Sequence, residues 1–253
     1  MTDRKRSFLD RALALVQPSP DASFRPPPRE IAPGLWEVCR AVIMPPAMRL
    51  PIRMTILRLP SGGLLVHSPV ELDSETSRAV RELGEVKALL APNSFHHVFV
   101  SRAAEEFPRA SLFLAPGLPE RVPSLPKGRI VTDVAPPEWA GAIEPLVFGV
   151  KSFVEVVLLH RPTKTLILTD LAFFWPRIEG LYNRLAWRAF GMPSRFGTSR
   201  TARLTLLRDR AAAAPFLKRI EAWEFERIMV AHGDVLEKDA KAEFRRAYAS
   251  YLA

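Results

Sequence analysis

The chain has 253 residues, of which 48% are hydrophobic and 25% are charged. These proportions are typical of a globular protein and exclude a disordered chain. Lys and Arg number 36 against 27 acidic residues, which permits anionic partners without identifying one. The single cysteine, Cys39, excludes an internal disulfide and a cysteine-based zinc motif, so a bound metal would need His, Asp or Glu ligands.

The N-terminal region favours neither a signal peptide nor a membrane anchor. Charged residues recur from Asp3 to Arg11 and interrupt any apolar core that a signal peptide would need. No stretch of the sequence approaches the length of a transmembrane helix. We therefore expect a cytoplasmic protein without a transmembrane segment.

Proline residues indicate how the chain is divided. The residues from about Arg4 to Val16 predict a short amphipathic helix, and a proline-rich stretch with the run Pro26–Pro28 follows it. We expect residues 1–30 to form a helical extension with a proline-rich linker. Residues 31–253 are expected to form one domain.

The rest of the chain alternates between patterns typical of strands and of helices. The predicted strands are Leu35–Val38, Arg53–Leu59, Leu64–His67, Ala88–Ala91, Ser111–Ala115, Ile143–Phe148, Val154–His160, Thr165–Thr169 and Ile228–Ala231. The predicted helices are Ser74–Leu83, Val98–Phe107, Leu181–Phe190, Asp209–Trp223 and Lys238–Tyr251. Early strands are separated only by turn residues, whereas later strands alternate with helices. This mixture predicts two sheets with helices outside them.

Polar side chains follow several of the predicted strands. His67 ends one strand, His96 and His97 follow another, and Asp170 and His232 follow two more. Because loops at the carboxyl ends of strands form the ligand crevice in layered α/β proteins, these groups are expected to converge. For His67 we expect instead a hydrogen bond that holds the neighbouring loop.

The residues from Val154 to Asp170 predict a hairpin that brings two carboxylates together. If His160 pairs with Thr165, then Glu155 lies opposite Asp170 at the open end. His160 would lie about 17 Å away and have a structural role. Two opposed carboxylates repel each other unless a metal, a shared proton or a positive side chain reduces the repulsion. A salt bridge to an arginine or lysine is the alternative for Glu155.

At these positions the sequence resembles the metallo-β-lactamase superfamily, and more closely an uncharacterised branch of it. The likeness runs from about Ile31 to the C-terminus. The family carries a His-x-His-x-Asp-His motif after a strand, and the last histidine of that motif resembles His97. The bridging aspartate of the family resembles Asp170, and its final histidine resembles His232. The resemblance implies an α/β fold, namely a four-layer αββα sandwich of the metallo-β-lactamase type.

Other positions of the family motif are not matched. Its first two histidines fall on Pro92 and Ser94, and its aspartate falls on His96. The intermediate histidine of the family would lie near Lys151 or Ser152. The resemblance therefore implies a reduced, mononuclear site rather than a dinuclear one.

The site implied by the resemblance holds one divalent transition metal. Its ligands would be His97, Asp170 and His232, with His96 as a candidate fourth ligand. Zinc is the first expectation for imidazole and carboxylate ligands, and iron or manganese suits the same donors. Because the motif aspartate is missing, His96 or Glu155 would have to act as the catalytic general base.

These residues predict a metal-dependent hydrolase that acts on a small ester, lactone, thioester or phosphoester. The alternative is a protein of the same fold that binds a ligand or partner without turnover. The loss of ligands at Pro92 and Ser94 favours this alternative.

Positive charge is concentrated in residues 177–210, which contain eight arginines, two acidic residues and several aromatic residues. This segment predicts a cover over an anionic or amphiphilic small-molecule substrate, or a peripheral membrane contact. A surface helix with an apolar underside is the simpler alternative. No nucleic-acid-binding motif accompanies the segment, so specific nucleic-acid recognition is not expected. The sequence predicts no oligomeric state.

Overall fold

Residues 19–150, 153–205 and 207–253 are described here from a computed structural model. The predicted N-terminal helix lies outside these residues. The short strand Ser19–Pro20 precedes residue 31, and the short strand Arg29–Ala32 includes it. Both pair with the long strand Leu35–Met44. The first sheet therefore begins before the predicted domain boundary.

The first sheet contains eight strands, in the spatial order β1, β3, β4, β5, β6, β7 and β8, with β2 also paired to β3. These strands are β1 Ser19–Pro20, β2 Arg29–Ala32, β3 Leu35–Met44, β4 Met48–Arg58, β5 Leu64–His67, β6 Val86–Ala91, β7 Ser111–Leu114 and β8 Arg129–Ile130. Strand β4 is antiparallel to both of its neighbours, β3 and β5. From β5 to β8, each strand is parallel to the next.

The second sheet contains five strands, in the order β13, β12, β11, β10 and β9. They are β9 Ile143–Val150, β10 Phe153–His160, β11 Thr165–Leu168, β12 Arg227–Val230 and β13 Val235–Leu236. Only β11 and β12 are parallel to each other.

Both faces of the second sheet are buried, which explains the nearly continuous apolar sequences of its strands. Successive residues of β10 point to opposite faces. Val156 and Leu158 join the core that includes the strands of the first sheet, whereas Val157 and Leu159 pack into a second core with the outer helices.

Seven α-helices lie in the described part of the chain. They are α1 Ser74–Leu83, α2 Val100–Glu106, α3 Leu118–Arg121, α4 Leu181–Ala189, α5 Arg200–Thr205, α6 Arg210–Ala222 and α7 Ala240–Leu252. Val80 of α1 and Val100 of α2 are buried with the first sheet, and Phe216 of α6 and Phe244 of α7 are buried with the second. The predicted α/β fold with two sheets between outer helices is confirmed. None of these helices combines the length and hydropathy needed to cross a membrane.

The hairpin of β10 and β11 has the predicted register, since His160 pairs with Thr165. Strand β11 then runs parallel to β12, with Leu168 opposite Val230. Asp170 and His232 each follow these paired residues by two positions. Both side chains therefore lie at the same end of the second sheet.

The two sheets are joined at this end. Asn93, which follows β6, forms an isolated antiparallel bridge with Glu155 of β10. The N–H of Val156 donates to the carbonyl oxygen of Pro92 at 2.8 Å. The loop after β6 is thereby held beside the loops after β11 and β12.

Leu158→Ala tests the packing between the sheets. Because Leu158 has no exposed surface, we expect the free energy of unfolding to fall by about 2–5 kcal/mol in urea denaturation. The control is Leu185→Ala, since Leu185 is 59% exposed and its loss should change stability by less than about 0.5 kcal/mol. Equal effects of the two variants would contradict the burial of Leu158.

Candidate metal centre

Three residues from remote parts of the chain bring their potential ligand atoms together. The relevant atoms of His96, Asp170 and His232 all lie within 4.8 Å of one another. Nε2 of His96 is 3.1 Å from Nε2 of His232 and 3.3 Å from Oδ2 of Asp170. Nε2 of His232 is 3.4 Å from Oδ1 of Asp170. The structure thus brings together three of the four predicted ligands.

The spacing of these atoms suits a small tetrahedral cation. Zinc binds imidazole nitrogen and carboxylate oxygen at about 2.0–2.2 Å, and tetrahedral angles then separate two ligand atoms by about 3.3–3.6 Å. The three observed separations of 3.1, 3.3 and 3.4 Å are close to this range. Three protein ligands leave a fourth position open, as in catalytic zinc sites.

The ring nitrogen that points away from the group orients each imidazole. Nδ1 of His232 lies 2.8 Å from the carbonyl oxygen of Pro51. Because a carbonyl can only accept, Nδ1 donates a proton in this contact, and Nε2 is the ring nitrogen that faces the group. Nδ1 of His96 lies 2.7 Å from Oγ of Ser68, and the ring of Phe173 stacks on His232 at 5.3 Å. Such outer contacts are typical of metal-ligating histidines.

The fully buried side chain of Asn93 connects the carboxylate to the loop after β6. Its Nδ2 donates to Oδ2 of Asp170 at 2.7 Å and to Oγ1 of Thr169 at 2.9 Å. Its Oδ1 accepts from the N–H groups of Phe95 and His96, both at 2.8 Å. One amide therefore fixes two members of the group. Asn93 is not among the residues predicted from the sequence, although an Asn that follows a buried strand is a signal for this kind of turn.

A buried arginine holds the turn that carries His232, the third residue of the group. Arg53 donates to the carbonyl oxygens of Val230 and Gly233 and pairs with Glu37 at 2.7 Å. Gly233 has φ +107°, and a Cβ at this position would lie 2.0 Å from the carbonyl oxygen of Phe174. The turn therefore requires glycine. Arg53 was also missed, although an arginine within an apolar strand indicates a buried partner.

Burial and mutual charge set the protonation of the group. Burial lowers the pKa of His96, while the Asp170 carboxylate acts in the opposite direction. Burial alone would raise the pKa of Asp170, but His96 and His232 hold it well below its ordinary value. These shifts favour an ionised Asp170 and a neutral His96, which are the states that bind a metal.

Glu155 is completely buried and binds the main chain of the Asp170 loop. Its Oε1 accepts from the N–H of Thr169 at 2.7 Å, and its Oε2 accepts from the N–H groups of Asp170 and Leu171 at 2.9 Å. Burial and the Asp170 carboxylate raise the pKa of Glu155 to about 8, while the N–H donors act against the rise. The structure brings Glu155 to Asp170 as the hairpin register predicts. Both oxygens accept from the main chain, and Glu155 has no salt bridge among the described residues. Its role as a general base stays a prediction.

His97, predicted as a ligand, lies outside the group of three. It is half-buried, and its Nδ1 has no hydrogen-bond partner among the described residues. Asn93 binds the N–H of His96, and the resulting turn places His96 rather than His97 beside Asp170. In this group His96 takes the place that the family motif predicted for His97, because the motif gives the order of residues but not the shape of this turn.

The two remaining histidines also lie outside the group of three. His67 is buried, and neither of its ring nitrogens has a hydrogen-bond partner in the described part of the chain. Its predicted hydrogen bond to the neighbouring loop is therefore wrong, and Ser68 makes the contact to that loop instead. Nδ1 of His160 lies 2.7 Å from Oγ1 of Thr163 in the hairpin turn, as a structural role predicts.

Several solved structures share this fold. A metallo-β-lactamase from Pontibacter korlensis is 11% identical, with a TM-score of 0.61 over 89% of this chain and 99% of that chain. The metallo-β-lactamase FIM-1 from Pseudomonas aeruginosa, in its mono-zinc form, is 11% identical, with a TM-score of 0.58 over 90% of this chain and 98% of that chain. The Flv1 flavodiiron core from Synechocystis sp. PCC6803 is 11% identical, with a TM-score of 0.62 over 93% of this chain and 61% of that chain. These similarities confirm the predicted metallo-β-lactamase fold.

The sequence comparisons identify a family of undefined activity. No curated protein matches the chain at a significant level. The profile of one family matches residues 42–177, which is more than half of the chain and includes His96 and Asp170. The chain therefore belongs to the family described as "Domain of unknown function (DUF4336)".

Proposed function

We propose that this protein is a metal-dependent hydrolase with one divalent metal held by His96, Asp170 and His232. The observation that supports this proposal is the convergence of three ligand atoms at separations of 3.1–3.4 Å. Each of these side chains also has its own outer hydrogen bond. Zinc is the first candidate for two imidazoles and one carboxylate, and iron or manganese is the alternative.

The chain contributes ligands and a rigid support for them. When bound at an open site, a divalent metal polarises a carbonyl or phosphoryl oxygen and lowers the pKa of a water molecule. Ser68 and Asn93 hold His96 and Asp170 in place, so little reorganisation is needed during a reaction. Glu155 acts as a positioning residue, because it binds the main chain of residues 169–171.

The proposed substrates are small esters, lactones, thioesters or phosphoesters. The side chains of His96, His232 and Asp170 are 7%, 5% and 17% exposed, so solvent reaches the group mainly at Asp170. Such limited access favours a compact reacting group. Each proposed substrate presents one carbonyl or phosphoryl oxygen that an open metal position can accept.

A protein that binds a ligand without turnover is the second candidate. Pro92 and Ser94 fall at the positions where the metallo-β-lactamase superfamily, which this sequence resembles, has histidines. Neither side chain is suited to replace an imidazole ligand. Within the described ranges, a single group of three potential ligands is found. A mononuclear site of this kind would suit ligand binding as well as catalysis.

Metal content tests the ligand set. Protein purified without chelator should contain about one transition metal per chain by elemental analysis. Asp170→Ala should lower this content to a small fraction, because it removes the only charged ligand of the group. The matched control is His97→Ala, which removes the adjacent imidazole outside the group and should leave the metal content unchanged. Loss of metal in the His97 variant, with retention in the Asp170 variant, would contradict the proposed set.

The outer contact to His96 gives a second test. Ser68→Ala removes the hydroxyl 2.7 Å from Nδ1 of His96 and should weaken metal affinity by about 10- to 100-fold, measured by competition with a chromogenic chelator. Ser77→Ala is the control, since Ser77 and Ser68 are both 2% exposed and Ser77 is not among the contacts of the group. Equal affinities of the two variants would argue against His96 as a ligand.

Turnover separates the two candidate functions. Wild-type protein should hydrolyse at least one member of a panel of chromogenic esters, lactones, thioesters and phosphoesters. Removal of the metal by chelation should abolish this activity, and Asp170→Ala should lower kcat/KM by at least about 100-fold. Full metal occupancy without hydrolysis of any panel member would instead support the binding protein.

A further inference from the structure

A cavity of about 450 Å³ lies within the arginine-rich segment. Three arginines line it, namely Arg188 from the last turn of α4 and Arg200 and Arg203 from α5. Ser194 and Thr198 also line it. Arg200 and Arg203 are three positions apart on a helix, so their side chains project from the same side.

Within the described residues, no acidic side chain pairs with any of the three guanidinium groups. In the parts of the structure that are described, none of them has an ion-pair or hydrogen-bond partner, and no acidic residue lines the cavity. Arg195 of the same region is paired, since it binds Glu243 at 2.9 Å. Three like charges around one concave surface repel each other unless an anion or solvent screens them. The arrangement therefore favours an anionic ligand.

The cavity is built from anchored elements. Helix α4 is fixed to β4 by a hydrogen bond of 2.8 Å from Nε1 of Trp187 to the carbonyl oxygen of Arg49. The N–H of Arg200 donates to the carbonyl oxygen of Gly191 at 3.0 Å. Gly191 has φ +82°, and a Cβ there would lie 2.3 Å from Cβ of Arg200. Only glycine permits this close approach.

One wall of the cavity is attached to the loop that carries Asp170. Oγ1 of Thr198 donates to the carbonyl oxygen of Leu171 at 3.0 Å. The neighbouring Gly197 exchanges two main-chain hydrogen bonds with Phe173, at 2.8 and 3.1 Å. An anion in the cavity would thus lie next to the segment that supports the metal centre.

We propose that this cavity binds the phosphoryl group of a phosphate monoester. A phosphoryl dianion can receive paired hydrogen bonds from several guanidinium groups, whereas a carboxylate is satisfied by one. The volume of about 450 Å³ lies within the range of small-molecule sites and leaves room for the organic part of the ester. This inference goes beyond the proposed function, because binding in the cavity requires no metal.

Calorimetric titration of the full chain with phenyl phosphate tests the proposal. The protein is first treated with chelator, so that binding at the metal centre does not contribute. Saturable binding is expected, and Arg200→Gln and Arg203→Gln should each weaken it by about tenfold or more. Both residues are exposed, so their loss should leave the unfolding midpoint unchanged.

The matched control is Arg208→Gln, because Arg208 is exposed in the same segment but does not line the cavity. Its effect on affinity should be less than about twofold. A second arm measures co-sedimentation with vesicles that contain phosphatidate. Binding in that arm alone, lost in the two cavity variants, would identify a lipid headgroup as the source of the phosphoryl group. Absence of binding in both arms, or an equal effect of the control variant, would overturn the proposal.

Discussion

The buried amide of Asn93 and the buried carboxyl group of Glu155 join the two sheets where the candidate ligands meet. Their main chains form a bridge between the sheets, and their side chains bind the two loops that carry His96 and Asp170. An unsatisfied buried donor or acceptor costs about 1–3 kcal/mol, so these loops are strongly held in the bonded arrangement. The arrangement of His96, Asp170 and His232 is therefore preformed by contacts of the protein itself.

The sequence predicted the layered fold closely, because its signals are local. Strand Leu64–His67 and helix Ser74–Leu83 have the predicted bounds. In the second sheet, strands buried on both faces give unbroken apolar runs that are easily located. The register of the β10–β11 hairpin also followed from its short turn.

Prolines and tertiary contacts account for what the sequence analysis missed. Both strands of the first hairpin are longer than predicted, since β3 continues to Met44 and β4 begins at Met48. Pro51 lies inside β4, although a proline normally argues against a strand at its position. The carbonyl oxygen of that proline is the partner of His232. His96 rather than His97 lies beside Asp170 because the buried Asn93 side chain shapes the turn. Neither the motif nor the periodicity of the sequence predicts that geometry.

The three candidate ligands come from both sheets, and this has a consequence for folding. His96 follows β6 of the first sheet, and His232, which lies 136 positions further along the chain, follows β12 of the second. A cation shared by these residues would act as a reversible cross-link that closes a very long loop of the unfolded chain. Its binding energy would then add to the docking of the two halves of the sandwich, so that metal supply would govern how firmly they stay together.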